Sequence, residues 1–149
     1  MLTTRPLTID AMWHCMAHLR AADREELEAA GADEQSLIEG ALEGWSEEGL
    51  WRGRQVFTFG CRPMPGHEIG IPWMLSTEVL SEAERSAVGW LARRVIKRMR
   101  SEYPVLTNLV HARNAEMVRF VEALGFTVFK ELTGPGYQFR QFIWRRPHV

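Results

Sequence analysis

Between Ser81 and Lys130 the apolar spacing alternates between helical and strand-like, and each change carries its own stop signal. Ser81 and Glu84 form a capping box that opens a long helix through Arg100, with Ala87, Val88, Leu91, Val95 and Met99 on one stripe. Pro104 ends it. Val105 to Val110 then reads as a short apolar strand, Asn114 to Leu124 as a helix, Gly125 as its C-terminal stop and Phe126 to Lys130 as a strand. A last strand, Gln138 to Trp144, follows the turn Gly134-Pro135-Gly136. Helices with one apolar stripe set between strands must bury that stripe on a sheet, which points to an α/β (α+β) domain.

The first half supplies the rest of the sheet. Leu2 to Pro6 reads as a short strand, and Thr8 offers a cap to a helix with Ile9, Met12, Trp13, Met16 and Leu19 on one side. Asp23 with Glu26 looks like a capping-box restart that stops at Gly31, and Asp33 caps a further helical pattern carrying Leu37, Ile38, Ala41, Leu42 and Trp45. Gln55 to Cys61 alternates like a strand. Pro63, Pro65 and Gly66 turn it back into His67 to Leu75, which completes a hairpin. The predicted order is β-α-α-β-β-α-β-α-β-β, a mixed sheet with helices on both faces and no linker or repeat over residues 1–149.

Composition narrows the function. Eighteen basic against nineteen acidic residues leave a net charge of -1, so wrapping of nucleic-acid backbone is disfavoured. The acidic residues are concentrated between Asp23 and Glu48, where Arg24 is the only basic one, whereas Arg93, Arg94, Lys97, Arg98 and Arg100 form a basic run. Cations late in a helix complement its dipole, so that run is expected to be a solvated face. Cys15 and Cys61 have no metal or redox spacing and read as buried small hydrophobes. No apolar run approaches the roughly 18 to 20 residues of a membrane span, and the opening residues lack the apolar core of a signal peptide. A soluble protein acting inside a cell is expected.

Few residues announce chemistry by themselves. His14 and His18 share a helical face at ligand spacing, but further metal donors are missing from the pattern, so no metal site is expected. No nucleophile elbow or phosphate-binding Walker loop is present. Of the six tryptophans, Trp51 and Trp73 flank turns and are the candidates for an exposed interface anchor.

The element order, the opening Arg5-Pro6-Leu7-Thr8-Ile9-Asp10 and the segment from Asn114 to Leu124-Gly125-Phe126 resemble the GNAT superfamily of acyl-CoA N-acyltransferases over nearly the whole chain. Within it, the run Gly70 to Thr77, the Arg-rich helix ending at Tyr103-Pro104 and His111-Ala112-Arg113-Asn114 are similar to the small GNAT-like proteins of T7-like podophages, which include internal virion protein A.

The superfamily cradles the cofactor pyrophosphate in a glycine-rich turn after the fourth strand, yet the stretch Ser76 to Arg85 contains no glycine and carries Glu78, Glu82 and Glu84. The usual thiolate-protonating Tyr is replaced by Val121. Asn114 is retained; it implies a bond to the pantetheine arm, while its position equally suits a helix N-cap. Glu68 and His67, on the expected fourth strand, and His111, after the fifth, are the candidate general bases.

The leading expectation is a non-catalytic phage component of the virion interior or of virion assembly, with no cofactor, partnered by other phage proteins in the host cytoplasm. The alternative is an acetyl-CoA-dependent N-acyltransferase with an atypical loop. A third is a host-directed binding module built on the same fold.

Overall fold

The computed structural model describes residues 1–77 and 81–147. In chain order it contains β1 (Leu2–Pro6), α1 (Ile9–Ala17), α2 (Ala21–Ala29), α3 (Glu34–Ala41), β2 (Trp45–Trp51), β3 (Arg54–Pro63) and β4 (Ile69–Ser76). There follow α4 (Glu82–Glu102), β5 (Val105–His111), α5 (Ala115–Ala123), β6 (Thr127–Thr133), a 3-10 turn at Pro135–Tyr137 and β7 (Phe139–Arg145). The strands form one sheet in the order β1-β2-β3-β4-β5-β7-β6, antiparallel throughout except for β4 beside β5.

Strand alternation sends side chains to two cores. Phe57 and Phe59 of β3 pack with Val88 of α4, while Thr58 between them meets Cys15 of α1 at 3.3 Å. Met12, Cys15 and Met16 of α1 pack with Ile38 and Ala41 of α3 on that second face. α4 and α5 cover the first face with Ile96, Met99, Val118 and Val121. The mixed sheet with helices on both faces is therefore as expected. Val118 is buried, and Leu91, Val95 and Phe120 are half-buried against the sheet.

Several helix signals act as read. Thr8, Asp33, Ser81 and Asn114 each accept a backbone N–H from the first turn of the following helix. Gly125 ends α5 at φ +95°, a left-handed conformation that side chains rarely adopt. The apolar pattern through Trp45 is not one helix, however: α3 stops at Ala41, Gly44 turns the chain at φ +71°, and Trp45 begins β2. Glu47, Glu48 and Gly49 are poor strand formers, which hides β2 in the sequence. It is held by ladders on both sides and by buried Glu48, whose carboxylate accepts from Arg5 Nε at 2.7 Å and Gln55 Nε2 at 3.3 Å.

The exposed tryptophans are also not the expected ones. Trp51 and Trp73 are half-buried, whereas Trp90 and Trp13 are 62% and 46% exposed. Packing across the sheet covers the first pair, a long-range effect that turn proximity does not report. Among the described residues no helix is long and apolar enough to cross a membrane.

Candidate active site

The parallel strands β4 and β5 stay together for only two register pairs, Ile69 with Val105 and Gly70 with Leu106. The contact is close there: a Cβ on Gly70 would lie within 3 Å of Cys61, Tyr103 and Leu106 atoms. Two residues later stands Pro72. Backbone groups of alternate β4 residues face β5, as Pro72 O and Ser76 N demonstrate, so the missing Pro72 N–H is one that a continued ladder would need. The strands part beyond it. Asn108 spans the opening, donating from Nδ2 to Pro72 O at 2.7 Å while its Oδ1 accepts Leu109 N–H at 2.7 Å. The same alternation directs the N–H of Met74 into the gap.

Helix α2 sits across the wide end of this gap. Arg20 N–H donates to Ser76 O at 2.8 Å, and Asp23 Oδ2 accepts Ser76 N–H at 2.7 Å, so the helix start replaces the strand that β4 lacks. One turn later Glu26 Oε1 accepts the N–H of His111, at the end of β5, at 2.6 Å. Asp23 and Glu26 are therefore not the local capping pair that their spacing suggests; α2 begins at Ala21 with no side-chain cap, and both carboxylates act across the fold. Burial raises the pKa of each. For Asp23 the rise is opposed by the Ser76 N–H and the Arg20 guanidinium, and for Glu26 by the His111 N–H.

A cavity of about 510 Å³ passes through the gap. Glu26, Leu27 and Leu37 line it on the side of α2 and α3, Leu91 and Phe120 on the side of α4 and α5, and Met74 between them. Trp73 also faces it, and its indole Nε1 is buried with no hydrogen-bond partner. Asn114 caps α5 through Oδ1, which accepts Met117 N–H at 3.3 Å, and leaves Nδ2 buried and unpartnered. An unused amide donor in the helix turn beside cavity-lining Met117 suits a ligand carbonyl.

The candidate general bases His67, Glu68 and His111 do not converge on the gap. His67 and Glu68 lie in the exposed turn before β4, beyond the closed end of the gap, and not on the strand. Turn geometry set by Pro65 and Gly66, at φ +78°, keeps them off the ladder. The His111 ring turns toward β7: Nδ1 accepts Arg113 N–H at 3.2 Å, which places the proton on Nε2, 3.2 Å from Gln138 Oε1. Only the His111 backbone reaches the gap. Sequence reasoning missed Glu26 as a site residue because its spacing from Asp23 has a complete local explanation.

At the entrance to α4, residues 78–80, and with them Glu78, lie outside the described part. Ser81 Oγ accepts Glu84 N–H at 3.3 Å, occupying one of the donors a phosphate would use. Glu84 itself turns to Arg54, at 3.7 Å, so its charge is partly offset. Val121 is a core residue, 6% exposed. His14 and His18 stack on each other at 4.3 Å, and among the described residues no group of metal donors forms. The basic run on α4 is largely a solvated face: Arg94 lies over Trp90, Arg98 over Trp45, and Arg100 reaches Leu124 O at 2.7 Å.

No family profile matches the chain, and no curated protein matches its sequence. Solved structures do match. An acetyltransferase from Agrobacterium tumefaciens superposes with a TM-score of 0.72 at 13% identity, covering 97% of this chain and 91% of that one. An aminoglycoside acetyltransferase in complex with coenzyme A gives 0.67 at 15% identity over 98% and 95% of the two chains. A spermidine N-acetyltransferase chimera involving Vibrio cholerae gives 0.68 at 13% identity over 97% and 95%. With a strand order that opens between its two parallel members and near-complete coverage of acetyltransferases at low identity, this chain has the GNAT N-acetyltransferase fold.

Proposed function

We propose that the chain is an acyl-CoA-dependent N-acyltransferase that works in the β4–β5 gap. The observation that carries this reading is the through-going cavity opened at Pro72, with the Met74 N–H directed into it. A bound acyl-CoA would supply an activated thioester carbonyl. The residues here suit such a group: Asn114 Nδ2 is a free buried donor for an amide of the pantetheine arm, and Leu91, Val95 and Phe120 exclude water along it. Met74 N–H can donate to the carbonyl oxygen as negative charge develops on it, which is where a fixed donor contributes most. The 21-residue helix α4 would offer a bound anion the first-turn N–H groups that Ser81 leaves uncapped, although Glu82 beside them weakens the attraction.

Calorimetric titration with acetyl-CoA at modest salt tests the reading. Micromolar binding is expected, tighter still in Glu82→Gly; absence of binding by both proteins would overturn it.

A second reading is favoured by two features. Val121 is buried where the resemblance to acyltransferases expects a proton-donating Tyr, and no glycine stands between Ser76 and Arg85. These suit a non-catalytic phage protein that uses the fold in virion assembly, with other virion proteins or a host protein as partner in the host cytoplasm. Mass spectrometry of assembly intermediates and mature particles separates the two: presence in either supports the structural role.

A further inference from the structure

We propose that Glu26 is the acceptor-side carboxylate of the gap, binding a primary alkylammonium group through Oε2 and taking its proton. The inference rests on the acyltransferase reading and specifies what it acts on.

Three observations support it. Glu26 Oε1 is fixed by the His111 N–H at 2.6 Å, and Oε2 has no hydrogen bond among the described residues. The carboxylate is thus oriented by one oxygen and open by the other. Second, Glu26 lines the same cavity as Met74 and enters it from α2, opposite the α4–α5 side assigned above to the acyl donor. Third, its neighbours in that wall are Leu27, Ala30 and Leu37, which fit an apolar arm better than a polar one. Asp33 also faces the cavity, but it is exposed at the start of α3, where its Oδ2 caps the helix through Ser36 and its other oxygen meets solvent, whereas Glu26 is half-buried. Arg62 is the cationic lining residue and packs by Gly40, at the opposite end of α3 from Asp33. An alkyl chain ending in a single ammonium matches a partly buried carboxylate at the end of an apolar wall.

The groups around Glu26 bear on its basicity. Asp23 raises its proton affinity, and Arg20 and His111 lower it, while burial contributes most of the rise. A carboxyl whose affinity for protons is elevated is a better base toward an ammonium than an exposed one. The balance is simple. R–NH3⁺ gives one proton to Glu26, and the neutral nitrogen forms a C–N bond to the thioester carbonyl carbon. As the C–S bond breaks, the second nitrogen proton passes to the thiolate. Glu26 returns its proton to solvent.

Direct binding tests the subsite without the acyl donor. n-Hexylamine and n-hexanol, matched in length and differing in charge, are titrated into the wild type and Glu26→Gln by NMR. Gln retains an acceptor for His111 N–H, so the variant is expected to fold. Hexylamine should bind saturably to the wild type, with affinity falling about 10-fold or more in Glu26→Gln. Equal affinity in the two proteins, or hexanol binding as well as hexylamine, would overturn the subsite. Acetyl-CoA titration of the same samples tests the acyltransferase reading separately, because Glu26 lies outside the donor side of the gap. With acetyl-CoA present, Glu26→Gln should release coenzyme A thiol about 100-fold more slowly with hexylamine. The rate with hydroxylamine, which is largely unprotonated at neutral pH, should change little. Equal losses with both amines would exclude proton transfer to Glu26.

Discussion

Asp23 and Glu26 stand one turn apart on α2 and hold the two diverging strands separately, Asp23 through Ser76 N–H at 2.7 Å and Glu26 through His111 N–H at 2.6 Å. The helix thus substitutes side-chain acceptors for the ladder that Pro72 interrupts. This arrangement keeps the gap open without leaving either of these backbone donors unsatisfied.

The pair should give stability an unusual dependence on pH. Both carboxyls have a pKa raised in the folded state, chiefly by burial, so the folded protein binds protons more readily than the unfolded one. Their contribution to stability therefore grows as pH falls from the raised values toward the ordinary carboxyl values of 3.8 and 4.5, and is lost as pH rises through the raised ones. Urea midpoints measured between pH 4 and pH 7.5 should rise more on acidification in the wild type than in a double Asp23→Asn, Glu26→Gln variant. Parallel curves would contradict the assignment.

Removing the Asp23 acceptor has a different effect from neutralising it. Asp23→Ala leaves the Ser76 N–H without a partner in a site that is 1% exposed, and should cost about 2–4 kcal/mol in denaturant unfolding. Asp23→Asn keeps an oxygen for that N–H and should cost about 1 kcal/mol or less. If the two variants were equally unstable, the hydrogen bond would not be the source of the loss.

Asn114 separates a cap from a ligand contact. Asn114→Ala removes the bond to Met117 N–H and should cost about 1 kcal/mol, or about 2–4 °C in Tm. Asn114→Ser retains a capping oxygen and lacks the buried amide donor without adding a charge. It should keep near-native stability while weakening acetyl-CoA in calorimetry by about 10-fold. Unchanged affinity in Asn114→Ser would make the residue a cap alone.

Much of this fold was legible because its signals are local. Ser81, Asn114 and Gly125 identify helix ends through a cap oxygen or a left-handed residue, and neighbouring positions are enough to read them. β2 was not legible, since Glu48 becomes a strand residue only once Arg5 and Gln55 arrive from adjacent strands. The site shows the same division. Asn114 stands out by its place before a helix, but Glu26 acts on a backbone group 85 residues away, and its sequence neighbours offered a sufficient local account. His67 and Glu68 carry suitable chemistry in a turn that topology places at the wrong end of the gap.

The two cysteines should be inert in the native protein. Burial pushes the Cys15 thiol up to about 11 and the Cys61 thiol up to about 12, so almost no thiolate exists at neutral pH. Both are at most 1% exposed. Labelling by a disulfide reagent at pH 7.5 should be negligible until urea unfolds the chain and then reach two thiols. Rapid labelling of either cysteine under native conditions would show that its core opens locally.

Proline at position 74 isolates the contribution of the Met74 N–H. Because that group faces the gap and not the β3 ladder, proline at position 74 removes a donor without breaking a strand-to-strand bond, as Pro72 already does two residues earlier. Its ring would also project into the gap, and the methionine side chain, which packs beside Phe57 and Phe59, would be lost. Met74→Ala shares that packing loss and keeps the N–H, so the comparison of interest is between the two variants. Large-to-small changes at a half-buried site should lower stability by about 1–3 kcal/mol in both. If the N–H donates to the thioester oxygen as charge develops, Met74→Pro should fall about 100- to 1000-fold below Met74→Ala in turnover with acetyl-CoA. Its affinity for acetyl-CoA should fall much less, since a donor that acts on developing charge contributes little to the ground state. Equal turnover in the two variants would remove Met74 from the chemistry; a loss seen wholly in binding would reduce the N–H to a positioning contact.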